Sequence, residues 1–140
     1  MNINLFTIFA GGALGALIRY SILLFFNPYP INVVGVFIVN LTGCFLIGFF
    51  TYLAVKRYNI LSKNLKNFLI VGFAGGFTTF SAFSHPAIEM FLRHHYMYAF
   101  LNMFLSVVIG LIFVSWGMNC GYYLLNRLIR SKKLKLRQDY

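Results

Sequence analysis

"GGFTTFSAFS", Gly75 to Ser84, breaks into a long apolar run with two glycines, two threonines and phenylalanines alternating with serines. Glycine costs about 1 kcal/mol relative to alanine inside a helix, and threonine is stiff at χ1. The stretch therefore predicts a helix interrupted near Gly75–Thr79. Irregular backbone at membrane depth survives only where protein covers it or where it lines a watery cavity. Carbonyls freed at such a break can coordinate a monovalent cation. Beyond the break, Phe80, Phe83 and Ser84 share a helical face by their spacing. Pro86 adds a second irregularity, having no N–H to donate to the Ala82 carbonyl.

The flanking sequence explains why depth matters. Of 140 residues, 60% are hydrophobic and only 10% charged, far from the balance of water-soluble domains. A helix needs about 20 apolar residues to cross the hydrocarbon core. That rule gives four spans, roughly residues 3–26, 33–55, 68–92 and 97–125. The fold class expected is an all-α membrane protein of four transmembrane helices, the third one broken. Residues 1–126 form one transmembrane domain and 127–140 a basic tail. The first span has no charge ahead of its apolar stretch and is too long for a signal peptide, so it is kept as structure. "NPYPIN", Asn27 to Asn32, reads as a tight turn because each proline forces its predecessor out of the helical region.

Charge orients the chain. Lys56, Arg57, Lys63 and Lys66 lie between spans two and three, and Arg127, Arg130, Lys132, Lys133, Lys135 and Arg137 follow span four. With four spans both sets fall on the side of the termini, against Arg93 alone in the loops opposite. The positive-inside rule then makes both termini cytoplasmic in a multi-pass protein of the cell membrane. The tail "RLIRSKKLKLRQDY" is expected against anionic headgroups of the bilayer. Nucleic acid is not expected as a partner, since the basic residues lack interleaved aromatics or a folded module.

Acids are nearly absent: Glu89 and Asp139 are the two. Paired carboxylates for acid–base chemistry cannot be assembled, nor can a side-chain oxygen cage for a divalent cation. Cys44 and Cys120 show no ligand spacing and read as small buried thiols; His94 and His95 read as solvated loop residues. No nucleophile, base and orienting group converge, so no enzyme is expected.

Polar and small residues within the spans remain. Gly11 and Gly15, Gly72 and Gly76, and Gly117 and Gly121 are small-xxx-small pairs, read as helix-packing sites. Arg19, which cannot lose its charge, must snorkel or face a wet cavity. Asn40 offers donors and acceptors to whatever it faces, an interhelical hydrogen bond being the simplest use.

"GGALGALIRY" in span one, "GVFIVNLTGCFLIG" in span two and "GFAGGFTTFSAFS" in span three together resemble, in order and spacing, the bacterial fluoride channel family known as CrcB or Fluc. The resemblance runs from Ile3 to about Leu125. It implies a passive fluoride-selective channel, an antiparallel dimer of four-helix subunits with two pores and a structural sodium ion that is not transported. By position it assigns Gly75 and Thr78 as backbone-carbonyl donors to sodium, and Phe80, Phe83 and Asn40 as lining for fluoride. Arg19 falls at the aqueous vestibule, and Thr79, Ser81 and Ser106 are further polar contacts. Aromatic rings carry a positive edge, so Phe80 and Phe83 can replace part of the hydration of a small anion without trapping it. The chain departs from the family pattern at Val36, Cys44, Ala82, His85–Pro86 and Asn102.

A chain that dimerises antiparallel with itself must insert both ways, which needs an even spread of Lys and Arg. The spread here is uneven, and it argues for an oppositely oriented paralogue as partner over a second copy. Two other functions are consistent with the size: a small proton-coupled multidrug exporter, for which Glu89 is the sole intramembrane acid, and a non-conducting structural subunit of a heterodimeric channel.

Overall fold

The computed structural model of the chain describes residues 4–26, 33–55 and 61–138, the side chains of Phe26, Val33, Val55, Ala82, Phe83 and residues 132–138 excepted. The turn expected at Asn27–Asn32, and Lys56 and Arg57, lie outside these. Helix α1 is Leu5–Phe26 and α2 is Val33–Val55. Helix α3 covers residues 63–77: a first turn Lys63–Lys66, a π-helical stretch Asn67–Ala74 and a last turn Gly75–Phe77. Helix α4 is Phe80–Leu92 and α5 is Tyr96–Gln138. No strand occurs among the described residues. Three segments are long and apolar enough to cross a membrane, Leu5–Phe25, Val34–Ala54 and Tyr96–Ser131. The third segment of the sequence is divided between α3 and α4 at Thr78–Thr79, as the glycine–threonine cluster predicts.

The glycine pairs set the packing. A Cβ on Gly76 would stand 2.5 Å from the Gly12 carbonyl oxygen, and one on Gly72 would stand 3.0 Å from the Gly11 Cα. On the facing helix, Cβ atoms on Gly11 and Gly15 would meet the backbone nitrogens of Phe73 and Phe77 at 2.9 and 2.8 Å. Lipid offers no hydrophobic gain for helix association, so close backbone contact and its dispersion energy do the joining. Because contacts on α1 and α3 rise in number together, the two helices run parallel. Helices α2 and α5 are likewise parallel: Gly48 abuts Val114, Gly117 abuts Phe45 and Phe49, and Gly121 abuts Tyr52. Aromatic rings fill this second seam, Phe45 edge-on to Trp116 at 5.4 Å and Tyr52 edge-on to Tyr122 at 6.0 Å. Gly43 lies against Phe77 and Thr78 while Asn40 reaches Thr79, so α2 and α3 are antiparallel.

Three boundaries differ from the sequence reading. Helix α3 starts at Lys63 because Ser62 caps it, its Oγ accepting from the Leu65 N–H at 3.3 Å. Helix α4 continues from Phe80 to Leu92 with Pro86 inside it and buried, so the second irregularity expected there does not end the helix. Helix α5 passes residue 126 without a break and continues to Gln138. Its end is rich in Leu, Lys and Arg, strong helix formers with basic charge suited to a C-terminus, and contains neither Gly nor Pro. Residues 127–138 of the basic tail thus continue α5.

Helices α4 and α5 join through a Schellman turn. The His94 N–H donates to the Phe91 carbonyl at 3.0 Å and the His95 N–H to the Met90 carbonyl at 2.9 Å. His94 occupies the left-handed position with φ 62°, where glycine is usual. Both histidines are exposed, as expected, although His94 Nδ1 is hydrogen-bonded to the Tyr96 hydroxyl at 2.7 Å.

Candidate functional site

At Thr78 the backbone turns extended, with ψ 154°, and the helix stops. Thr78 still donates its N–H to the Ala74 carbonyl at 3.0 Å and its hydroxyl to the same oxygen at 2.9 Å. The next donor does not follow. The Thr79 N–H, which a continuing helix would aim at the Gly75 carbonyl, points to Asn40 Oδ1 at 3.0 Å. Asn40 Nδ2 in turn donates to the Thr79 carbonyl at 3.3 Å. One amide therefore supplies the acceptor that the break removes from the Thr79 N–H and adds a bond at the Thr79 carbonyl, which is how a half-buried interruption is satisfied.

The break opens into a groove of about 460 Å³ lined by Asn40, Cys44, Ile47, Gly75, Thr78, Thr79, Phe80, Ser106 and Val107. Six of the nine residues read from sequence meet there: Asn40, Gly75, Thr78, Thr79, Phe80 and Ser106. Ser81 adjoins it through its hydroxyl, 2.9 Å from that of Thr79. Ser106 donates to Asn102 Oδ1, one turn earlier on α5, at 3.3 Å. Phe80 is 79% exposed. A Cβ on Gly75 would touch nothing within 4 Å, so this glycine faces open space. The Phe83 side chain lies outside the described residues.

Arg19 does not line the groove. It lies on the α1 stripe of Gly11 and Gly15, one turn beyond the glycine that abuts Phe77, and so at the level where α3 ends. Its side chain is half-buried and has no ion-pair or hydrogen-bond partner among the described residues.

Two groove features escaped the sequence reading. Cys44 was expected to be a buried thiol, yet it is half-exposed and lines the groove beside Gly110. Gly110 could have signalled this, since a small residue facing Cys44 leaves the sulfur room. The role of Asn40 as a clamp on the break was also not read, although an amide in an apolar span opposite a helix interruption is the signal for one.

Among the described residues, the groove is lined by no carboxylate and no ammonium or guanidinium group. Glu89, the only acid among the described residues, pairs with Arg93 at 2.6 Å near the Schellman turn. No cluster of three or more His, Cys, Asp or Glu residues occurs among the described residues. What the lining residues do offer is hydroxyls, an amide, a thiol and an aromatic ring. Such a lining can exchange weak contacts with a small ion but cannot hold it through a fixed opposite charge.

A scan against protein-family models matches residues 6–118 to "CrcB-like protein, Camphor Resistance (CrcB)". The chain is 42% identical over 116 residues to a Flavobacterium psychrophilum protein named "Fluoride-specific ion channel FluC", covering 81% of this chain and 91% of that one. A protein of the same name from Hydrogenobaculum sp. is 35% identical over 119 residues, covering 84% and 97%. "Fluoride-specific ion channel FluC 2" of Staphylococcus saprophyticus is 37% identical over 114 residues, covering 81% and 93%. With a match that takes in α1, the interrupted third segment and α5 as far as Met118, the chain belongs to the CrcB-like family.

Proposed function

We propose that the chain is a subunit of a fluoride-selective channel through which the anion leaves the cytoplasm passively. The observation that carries the reading is the groove: an interrupted helix that exposes Phe80 beside Asn40, Thr79 and Ser106, with no fixed charge among them, in a family whose relatives are named for fluoride conduction. Hydrogen fluoride enters a cell as a neutral acid and dissociates at near-neutral pH, trapping the anion inside. A weakly binding passage relieves that accumulation without an energy source. Arg19, at the level of the break, raises the local positive potential that gathers anions at the mouth.

The third segment is the fourth membrane crossing. The parallel pairing of α1 with α3 and of α2 with α5, with α2 antiparallel to α3, supports an up-down-up-down path in which residues 63–92 cross together. Ten basic residues on the side of the termini support a cytoplasmic location for that side. The exposed Phe80 and the open Gly75 want a second wall, which an antiparallel partner subunit provides. The uneven charge favours an oppositely oriented paralogue in that role over a second copy.

Sodium fits the break. The donor that would occupy the Gly75 carbonyl is diverted to Asn40, and Thr78 has left helical geometry, so both carbonyls can turn toward a hard monovalent cation. Bound there, sodium would supply a fixed positive charge that ties two breaks together without moving through the pore.

Fluoride efflux from liposomes tests the reading. The chain, alone or with its paralogue, is expected to pass fluoride rapidly and chloride poorly, with loss on Phe80→Ile and no response to a proton gradient. Undiminished efflux in Phe80→Ile would overturn the conducting role of this chain and leave it a structural subunit. The exporter alternative needs a free intramembrane carboxylate, and the Glu89–Arg93 pair speaks against it; abolished transport in Glu89→Gln would restore it.

A further inference from the structure

We propose that the C-terminal end of α5 carries a seat for the phosphate of an anionic phospholipid in the leaflet on the side of the termini. The inference is independent of what the channel conducts. Tyr122, Tyr123, Asn126, Arg127 and Arg130 line a groove of about 690 Å³. Tyr122, Asn126 and Arg130 follow one stripe of the helix by their spacing of four, with Tyr123 and Arg127 on the adjoining one. Edge contacts of Tyr122 with Tyr52, at 6.0 Å, and with Tyr123, at 5.5 Å, fix the inner wall of the groove.

Depth points to a headgroup. Tyr96 and Tyr98 open α5 and Tyr122 and Tyr123 stand near its far end, an arrangement typical of aromatic belts at the two membrane surfaces. At 1.5 Å per residue, Tyr98 and Tyr122 are about 36 Å apart, against a hydrocarbon core of about 30 Å. Arg127 and Arg130, one and two turns beyond Tyr123, then lie in the headgroup layer. Their long apolar stems let the guanidinium groups settle at phosphate depth.

Charge selects the occupant. Among the described residues the groove is lined by two guanidinium groups and no carboxylate, and neither arginine is ion-paired, Glu89–Arg93 being the one ion pair there. A guanidinium fork matches the oxygens of a phosphodiester, and the Asn126 amide and tyrosine hydroxyls add neutral donors around it. A zwitterionic lipid brings its own cation into this positive field; phosphatidylglycerol does not.

The test is a titration of the purified full chain, held in phosphatidylcholine nanodiscs, with phosphatidylglycerol, read by retained lipid in native mass spectrometry and by Tm. Phosphatidylglycerol should be retained in preference to phosphatidylcholine and should raise the Tm. Arg127→Gln with Arg130→Gln should weaken its binding about tenfold or more. Lys63→Gln with Lys66→Gln, an equal change of charge on α3 and outside the residues that line the groove, should weaken it by less than about threefold. Equal losses in the two double variants would reduce the seat to diffuse attraction and overturn it. So would equal retention of the two lipids, or an equal Tm rise with inorganic phosphate at the same concentration. Should the first double variant not fold, Arg127→Lys decides, since it keeps the charge but removes the fork: affinity unchanged from the natural chain overturns the seat.

Discussion

Asn40 and Thr79, thirty-nine positions apart, are joined by two hydrogen bonds, the Thr79 N–H to Oδ1 at 3.0 Å and Nδ2 to the Thr79 carbonyl at 3.3 Å. The side-chain amide replaces the acceptor that an uninterrupted helix would have given the Thr79 N–H and adds a donor at the Thr79 carbonyl. The break is therefore held from α2, and whatever moves α2 moves the break.

Asn40→Ala should remove both hydrogen bonds that tie Thr79 to α2 and leave the Thr79 N–H without the Asn40 acceptor. A destabilisation of about 1–3 kcal/mol is expected, read as a lower Tm in detergent, together with loss of fluoride efflux. Asn40→Asp keeps an acceptor for the N–H and sets a carboxylate against the carbonyl, so it should recover little of either. A Tm unchanged by Asn40→Ala would show that the break holds itself.

Gly75 and Gly76 are neighbours with opposite expected responses. Alanine at Gly76 drives its Cβ to 2.5 Å from the Gly12 carbonyl and 2.9 Å from the Gly12 Cα, backbone that cannot step aside. Helices α1 and α3 must part, and a loss of roughly 2–4 kcal/mol is expected, on the scale of overpacked cores and lost backbone contact. Alanine at Gly75 meets nothing within 4 Å. Gly75→Ala should leave the stability of the subunit unchanged or slightly raised, yet lower flux if a partner subunit closes on that face. Comparing Tm and efflux for the two variants separates packing within the chain from contact across the proposed interface.

Much of this arrangement is legible in the sequence. The glycine pairs at 11 and 15, 72 and 76, and 117 and 121 are spaced for one helical face, and each marks a seam. The break at Thr78–Thr79 was visible because glycine and threonine weaken a helix locally, a property of the residues themselves. What stayed hidden depends on three-dimensional register. The sequence does not say that Cys44 looks into the groove, because that follows from Gly110 on another helix leaving room for sulfur. Nor does it say that Asn40 faces Thr79, since the phase of α2 against α3 is set by Gly43 packing on Phe77 and Thr78. The continuous end of α5 was missed for a different reason: dense charge suggested a tail, while the absence of Gly and Pro left nothing to stop the helix.

Cys44 supplies a direct probe of the groove. A small positively charged methanethiosulfonate reagent applied from water should modify it and reduce fluoride efflux at least severalfold, with Cys44→Ser resistant. Cys120, on α5 beyond the groove, is the internal comparison, and the Cys120→Ser chain should respond as the natural one does. Failure of the reagent to change efflux while mass spectrometry records modified Cys44 would mean that ions pass elsewhere.

His94 lies in the left-handed region at φ 62°, closing the turn between α4 and α5. Glycine there removes the Cβ penalty, and His94→Gly should stabilise the turn by up to about 1 kcal/mol, less what is lost with the Tyr96 hydrogen bond. His94→Val should destabilise it by about 1–2 kcal/mol, because a β-branched side chain tolerates that conformation worst. Thermal unfolding of the two variants gives the sign. A turn that opens on function would show the same ordering in its hydrogen-exchange rates.

The two parallel seams join helices that are not consecutive in the chain, α1 with α3 and α2 with α5. During synthesis Gly11 and Gly15 leave the ribosome roughly sixty residues before Gly72 and Gly76, a delay of several seconds at about 5–20 residues per second. Through that interval α1 and α2 must reside in lipid as nascent single helices with their glycine faces bare. Strong apolar character in those first two segments is then a requirement of biogenesis as well as of the finished protein. A polar substitution there would be felt by the translocon before any native contact could rescue it.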